Sequence, residues 1–511
     1  MAESRTVGFI DVGTNSIHVL VTQFFPDSMG TPIFDDKESV RLGQNLFAEG
    51  YIDQETIQRT KLVIGRFVRI AKDMGAEEIF AFATCAAREA YNRNELLDAA
   101  SEAGIDLRII SGTEEARLAG LGVFGPYGPP DRCVDIDLGG GSTEINLCKG
   151  SETIFLDSLM AGSVRFSYGL GIDQHGTVSR ADYEKILLAV DKVADNAANK
   201  LREIGFDRAM GSSGTMINLA EMCAARRDGD ASYMTKKELS ELMRDLCAMN
   251  EVQRRNVPRM NPGRSDIIIG GGAIAEELMH LFEIDKIFIS ERGLREGMQF
   301  DYLLGKGRKE FNLRRSSVMT LARRCGFNEK HASQVNMLTM QLFDGMKDLG
   351  LHPMNGDVRE LLGYAATLHD IGEFISYNKH NVHSYTIILN SNMPGFAQAE
   401  LEDMALIARF HHKRFPGANH KLLKALPRQR AKTVRYCAMM LRMADVLDRH
   451  RSSPVDSMRV LAVGGSVLID LKSREDLSME VWKLEELSEP FRDVFGSELR
   501  ICASGWGEAR I

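Results

Sequence analysis

The sequence predicts an α/β protein of two similar halves facing a shared cleft, followed by an all-helical domain and a small α+β unit. Three observations predict it. A strand–glycine turn–strand device occurs twice: Asp11-x-Gly13-x-x-Ser16 and Asp137-x-Gly139-x-x-Ser142 lie 126 positions apart, each with an apolar strand before it and an apolar–polar alternation after it. Beyond the basic stretch Leu304-Gly-Lys-Gly-Arg-Lys309 the hydrophobic period changes from 2 to 3.6 and stays there. From Val460 onward the alternation returns for a short tail.

A chain of 511 residues is too long for one core, and the pattern divides it at 1–125, 126–307, 308–455 and 456–511. At 44% hydrophobic and 26% charged the composition is that of a globular protein. The richest apolar run, Ile267 to Ile274, is broken by three glycines, so no membrane partner is expected. Eight cysteines without a C-x-x-C pair, and an amino terminus that passes straight into a strand, point to reduced thiols in the cytoplasm. A net charge of −8 argues against nucleic-acid coating; a polyanionic ligand needs a local basic surface.

In the first half, strand, turn and strand run from Thr6 to Phe25, and Ile57 to Met74 forms an amphipathic helix. Ile79 to Thr84 is a buried strand, with Arg88 on the turn or helix start that follows. Ile105 to Ile110 is a strand that leads into Ser111-Gly-Thr-Glu-Glu-Ala-Arg117. Ser111 or Thr113 caps the next helix, and Glu114 and Glu115 sit in its first turn, where the dipole favours acids. The second half opens on Cys133-Val-Asp-Ile-Asp-Leu-Gly-Gly-Gly-Ser-Thr-Glu144. Gly139, Gly140 and Gly141 let backbone N–H groups approach an anion closely, as phosphate loops do, and Gly13, Thr14, Asn15 and Ser16 repeat the device. The carboxylates of Asp137 and Glu144 can face a phosphate only across a cation, which suggests hydrated Mg²⁺. Asp182 to Ile204 is a long helix, Arg208 to Thr215 a strand running into a helix, and Ile267 to Leu278 a further strand–glycine–helix device.

In the helical region His331, Val335, Leu338 and Leu342 share a face; so do Leu361, Ala365 and Leu368, with His369-Asp370 directly after, and Leu441, Asp445 and Asp448. A His-Asp pair joined by His and Asp residues from other helices has the residue types of a metal site. From Met404 to Ala444, forty-one residues pass without an acid while Lys413, Arg414, Lys421, Lys424 and Arg428 fall inside; this reads as a polyanion-binding surface.

Together, Asp11-Val-Gly-Thr-Asn-Ser16, Thr84 to Arg88, Ser111 to Arg117, Asp137 to Glu144, Gly211-Ser-Ser-Gly-Thr215 and Leu294-Arg-Glu-Gly297 resemble the exopolyphosphatase / guanosine pentaphosphate phosphohydrolase family over nearly the whole chain. The resemblance implies two actin-like, ribonuclease-H-like domains around a cleft, then a helical HD-like domain and a small α+β domain. It implies release of the terminal phosphate of inorganic polyphosphate, with guanosine pentaphosphate as the alternative substrate and a homodimer as the assembly. By that resemblance Glu115 is the catalytic base, Asp137 and Glu144 are the metal-associated carboxylates, and Arg88 and the two glycine turns contact phosphate. The implied cofactor is Mg²⁺, with a monovalent cation as an optional addition. His331, His369, Asp370 and Asp445 match the HD metal-ligand pattern, with His383 and His411 as extras; a second divalent metal, a second phosphohydrolase centre and a vestigial core all stay open there. A kinase-type ATPase and a non-catalytic polyphosphate or alarmone sensor are the rivals from other classes.

Overall fold

The structure is a computed structural model that describes residues 4–25, 30–305, 312–391, 393, 395–413, 415–417 and 419–505. Arg414 and positions 306–309 of the expected domain boundary lie outside the described residues. The chain forms two compact units, 1–311 and 312–511.

The first unit holds two mixed sheets of one plan. Strands β1 (Arg5–Val12), β2 (Ser16–Phe24), β3 (Thr31–Ser39), β4 (Glu78–Ala83) and β5 (Leu107–Ile109) are ordered β3-β2-β1-β4-β5, antiparallel as far as β1 and parallel from there on. Strands β6 (Cys133–Leu138), β7 (Thr143–Lys149), β8 (Glu152–Leu159), β9 (Arg208–Ser212), β10 (Tyr233–Thr235) and β11 (Lys286–Ile289) repeat that order as β8-β7-β6-β9-β11, with β10 added antiparallel at the edge. The repeated device of the sequence is therefore a repeated topology, that of two actin-like domains. The central strands are buried along nearly their whole length, as strands covered on both faces must be. Helix Gln54–Asp73 covers the first sheet: the side chain of Asp53 accepts from the Thr56 N–H at its start, and Ile57, Thr60, Ile64, Phe67, Val68 and Ala71 form its buried stripe.

One element differs from expectation. Ile267 to Gly272 is not a strand and turn; Ile268–Leu281 is a helix with the glycines inside it. A Cβ on Gly270 would come within 2.6 Å of Ser167 Oγ, and one on Gly272 within 2.1 Å of Met243 Sδ. The glycines there admit neighbouring helices to close contact rather than a ligand.

The second unit is built from helices Leu313–Arg324, Glu329–Asp348, Gly356–Leu368, His380–Leu389, Gln398–Phe410 and Arg428–Val446, followed by a small sheet. That sheet is β12 (Ser457–Val463), β13 (Ser466–Ser473) and β14 (Leu499–Gly505), in chain order. Between β13 and β14 stand two short helices, Ser478–Glu485 and Ser488–Phe495. The tail's Ile469, Leu471, Leu484 and Phe491 belong to the same buried apolar cluster as Leu338, Leu342 and Met439 of the helices. Gly345 permits this contact, since a Cβ there would lie 2.6 Å from Val460 Cβ. Among the described residues no helix is long and apolar enough to cross a membrane.

Candidate active site

The two glycine turns join antiparallel neighbours, β1 to β2 and β6 to β7, and they close alike: Gly13 N–H donates to Ser16 O and Gly139 N–H to Ser142 O, both at 3.0 Å. They face each other at contact distance. A Cβ on Gly140 would lie 3.1 Å from Thr14 Cβ, and one on Gly141 would lie 2.7 Å from Thr14 Oγ1 and 2.6 Å from Cys85 Sγ. The turn carbonyls are spent on the surrounding scaffold. Thr14 O accepts from Gly43 N–H, Asn15 O from Arg41 N–H, Gly140 O from Val164 N–H and Gly141 O from the Arg165 guanidinium. The N–H groups of Thr14, Asn15, Gly140 and Gly141 make no such bonds among the described residues, and all four residues line one cavity of about 290 Å³. Successive amide donors of this kind form an anion cradle.

A third backbone element joins them. Helix Ser213–Arg227 starts at the cavity, with Ser213, Gly214 and Thr215 in its wall and no side-chain cap on its first N–H groups. Ser213 holds φ +81°, a left-handed conformation that a serine adopts at a cost of about 1–3 kcal/mol. Its Oγ donates to Leu138 O at the end of β6, which ties the helix start to the second turn. The uncapped positive end of the helix faces the space between the turns.

Against these donors stands a group of buried acids. Asp11, Glu115, Asp137 and Glu144 all line the cavity. Asp137 lies directly opposite Glu144 in the β6–β7 register, whereas Asp11 lies opposite His18 in the β1–β2 register. Burial, with Glu115 nearby, pushes Asp11 and Asp137 from 3.8 to about 7. Burial, then the charges of Glu115 and Asp137, raises Glu144 well above the usual carboxylate range, although Ser158 Oγ donates to it at 2.8 Å. Burial lowers His18, which is therefore neutral. Asp11 Oδ1 is buried and has no hydrogen-bond partner. A set of acids that repel one another, one with an orphaned oxygen, has the chemistry of a hard-cation site. Asp137 and Glu144, joined by Asp11, are the residues that would hold Mg²⁺.

Glu115 is 8% exposed, and burial raises its pKa while Arg88 opposes the rise. Its helix, Gly112–Phe124, starts at Ser111, whose Oγ accepts from the Glu114 N–H. Arg88 Nη1 donates to Glu115 Oε2 and to Ile110 O, both at 2.9 Å. Glu114 turns elsewhere, into a two-point pair with Arg117 at 2.8 Å. Arg88 does not line the cavity with the turns. It sits behind Glu115 and lines an adjoining groove of about 810 Å³ that meets the cavity at Ser142.

Sequence reasoning missed the cations of the cavity wall. Lys37, on edge strand β3, is lowered by burial to about 8. Arg264 is lowered by burial to about 10; its guanidinium donates to Thr215 Oγ1 at 3.1 Å and lies so close to Gly214 that a Cβ there would sit 2.0 Å from Nη2. Arg295 and Glu296 also line the wall, and the signal for them was present in Leu294-Arg-Glu-Gly297.

The Ppx/GppA phosphatase family profile matches residues 23–306, and that of Ppx/GppA phosphatase domain III matches 313–487. The chain belongs to the Ppx/GppA phosphatase family. Among solved structures it is similar to an exopolyphosphatase from Cytophaga hutchinsonii, at 24% identity and TM-score 0.55, over 59% of this chain and 98% of that one. An exopolyphosphatase-like protein is 25% identical with TM-score 0.53, over 59% and 98% of the two chains. The Aquifex aeolicus Ppx/GppA family member is 22% identical with TM-score 0.50, over 60% and 100%.

The second unit of this Ppx/GppA phosphatase brings His331, His369, Asp370 and Asp445 together from three segments, their imidazole and carboxylate atoms 3.6 Å apart. His411 joins them, at 3.4 Å from Asp370. His383 does not: its place is taken by His380, three residues earlier at the start of the same helix and 3.3 Å from Asp370. In the acid-free stretch Lys413, Lys421, Lys424 and Arg428 are exposed. Arg430 and Arg435 are spent instead on Asp403 and Asp493, so the basic surface is narrower than the sequence suggests.

Proposed function

We propose that this family member is an exopolyphosphatase, hydrolysing the terminal phosphoanhydride of inorganic polyphosphate to release orthophosphate. The observation that carries the reading is Glu115: a buried carboxylate held by Arg88 in a cavity whose opposite walls are two amide cradles and a helix N-terminus. The name of the 25%-identical relative, an exopolyphosphatase-like protein, is in keeping with it.

The terminal phosphate fits between the turns, with the amides of Thr14, Asn15, Gly140 and Gly141 on its oxygens and Lys37, Arg264 and Arg295 balancing its charge. Glu115 accepts the proton of a water whose oxygen attacks the terminal phosphorus. The bridging P–O bond breaks, and its electron pair leaves with the shortened chain. Arg88 fixes the Glu115 carboxylate and opposes the burial that raises its pKa. Asp137, Glu144 and Asp11 would hold Mg²⁺, which would supply charge neutralisation to the substrate's phosphate groups. Lys413, Lys421, Lys424 and Arg428 offer a polymer a weak, salt-sensitive hold between cleavages.

Orthophosphate release is measured from long-chain polyphosphate and from guanosine pentaphosphate in parallel, with Mg²⁺ and with a chelator. The reading expects Mg²⁺-dependent release, with polyphosphate the better substrate. Faster release from guanosine pentaphosphate, or binding of either without turnover, overturns it.

A further inference from the structure

The helical unit holds a cluster of imidazoles that plays no part in the cleft chemistry. Four of them are anchored alike, through Nδ1. His331 Nδ1 is bonded to Asp448 Oδ2 at 2.8 Å, His369 to Ala366 O at 2.7 Å, His380 to Tyr377 O at 3.1 Å and His411 to Ala408 O at 2.5 Å. A carbonyl or carboxylate acceptor fixes the proton on Nδ1, so each Nε2 is left with a lone pair. Each of the four Nε2 atoms lies within 3.6 Å of an Asp370 carboxylate oxygen. His380 Nε2 and His411 Nε2 are 3.2 Å apart with no proton left for either to share, and His369 Nε2, in a wholly buried residue, has no hydrogen-bond partner. Lone pairs converging in a buried space repel one another unless a cation lies between them.

The spacings select a cation over a hydrogen-bond network. Atoms that share one ion at about 2.1 Å sit roughly 3.0–3.5 Å from each other. Asp370 Oδ1 lies 3.3 Å from His380 Nε2 and 3.4 Å from His411 Nε2; Asp370 Oδ2 lies 3.6 Å from His331 Nε2, and Asp445 Oδ1 lies 3.6 Å from both His331 and His369. At 3.6 Å a hydrogen bond is not made. Apart from Asp370, which also groups with His369 and His411 and with Glu373 and His380, the donors form two sets, His331, His369 and Asp445 on one side and His380, His411 and His412 on the other. Asp370 stands between them, with Oδ2 3.6 Å from His331 Nε2 and Oδ1 within 3.6 Å of the Nε2 atoms of His369, His380 and His411, and Arg451 Nη2 donates to Oδ2 at 2.9 Å to hold its angle. Gly372 makes the second set reachable. A Cβ there would meet His380 O at 2.1 Å, so only glycine lets the His369–Asp370 segment lie against the start of helix His380–Leu389.

We infer that the helical unit carries a carboxylate-bridged pair of divalent transition-metal ions. One ion is held by His331, His369 and Asp445, the other by His380, His411 and His412, and Asp370 bridges the two. Five imidazoles suit Mn²⁺, Fe²⁺, Co²⁺ or Zn²⁺ rather than the Mg²⁺ or Ca²⁺ that all-oxygen sites prefer. A cavity of about 360 Å³, walled by Asn328, His331, His369, Asp370, Glu373 and Arg451, gives the first of these sites and the bridging carboxylate access to small molecules. The inference is independent of the reading of the cleft.

The test uses the full-length chain carrying Asp137→Asn, so that the cleft does not contribute metal. The protein is stripped with chelator, incubated with Mn²⁺, passed through a desalting column and assayed for metal content and by electron paramagnetic resonance. The expected result is about two ions per chain with the exchange-coupled multiline spectrum of a bridged pair. Asp370→Asn should lose the coupled signal and retain at most one ion. Retention of one ion or none by the chain with Asp370 intact, an uncoupled spectrum from it, or a coupled pair that survives Asp370→Asn overturns the proposal. The first two outcomes need no substitution in the helical unit, so misfolding of a variant there cannot produce them.

Discussion

Replacing Asp137 by Asn should stabilise the metal-free protein while removing its response to Mg²⁺. In the folded chain burial and Glu115 raise Asp137 from 3.8 to about 7. The sign follows from linkage: the folded state holds the proton more tightly than the unfolded one, so the contribution is fully present below pH 3.8 and is lost as pH rises to about 7. A shift of this size corresponds to a penalty on the order of 4 kcal/mol at pH 8 and under about 1 kcal/mol at pH 4.5. Asn keeps the shape and cannot ionise. With chelator present, the unit of residues 1–311 should therefore melt roughly 3 °C higher in the variant than in wild type at pH 8 if about half of that penalty is recovered, and close to wild type at pH 4.5. Adding Mg²⁺ at pH 8 should raise the wild-type midpoint and leave the variant's nearly unmoved, because a bound ion stabilises the state that holds it. The assay is thermal unfolding at two pH values with and without Mg²⁺. A variant less stable than wild type at pH 8 in chelator, or an equal Mg²⁺ shift in both proteins, refutes the reasoning.

Glu115→Gln should lower kcat about 10²–10⁴-fold with the fold intact, while Glu114→Gln, which loses only a pair with Arg117, should stay within a few-fold; phosphate release on both variants checks this. Gly141→Ala places a methyl 2.6 Å from Cys85 Sγ and 2.7 Å from Thr14 Oγ1. It should force the turns apart, costing about 1–3 kcal/mol in denaturant unfolding and most of the activity. Charge reversal at Lys421, Lys424 and Arg428 together should weaken long-chain polyphosphate hydrolysis far more than short-chain, and the salt dependence of KM should flatten. Equal loss on both chain lengths would count against a basic hold on the polymer.

The glycine turns were legible because their function is written in backbone terms: only residues without side chains allow two loops to approach as Gly140 and Thr14 do. The paired topology followed from the same repeat. The choice between Glu114 and Glu115 was not legible from residues alone, since both occupy the first turn of a capped helix and differ only in the side they face; the family resemblance picked Glu115. Lys37 and Arg264 were invisible because they reach the cavity from an edge strand and a short turn that lie outside every motif in the sequence. His383 and His380 sit three apart on one helix and share a face, so periodicity cannot separate them; the bond from His380 Nδ1 to Tyr377 O does. Ile267 to Gly272 misled for a different reason. A short apolar run ending in glycines reads alike as a strand entering a turn and as a buried helix with flat contact faces.

The duplicated halves match in trace and differ in charge. Where one hairpin offers a second acid across from Asp137, its counterpart sets a neutral imidazole, His18, across from Asp11. One jaw thus carries a facing pair of acids where the other carries a single acid, so a cation that neutralises the cleft is drawn to one side of it rather than shared evenly.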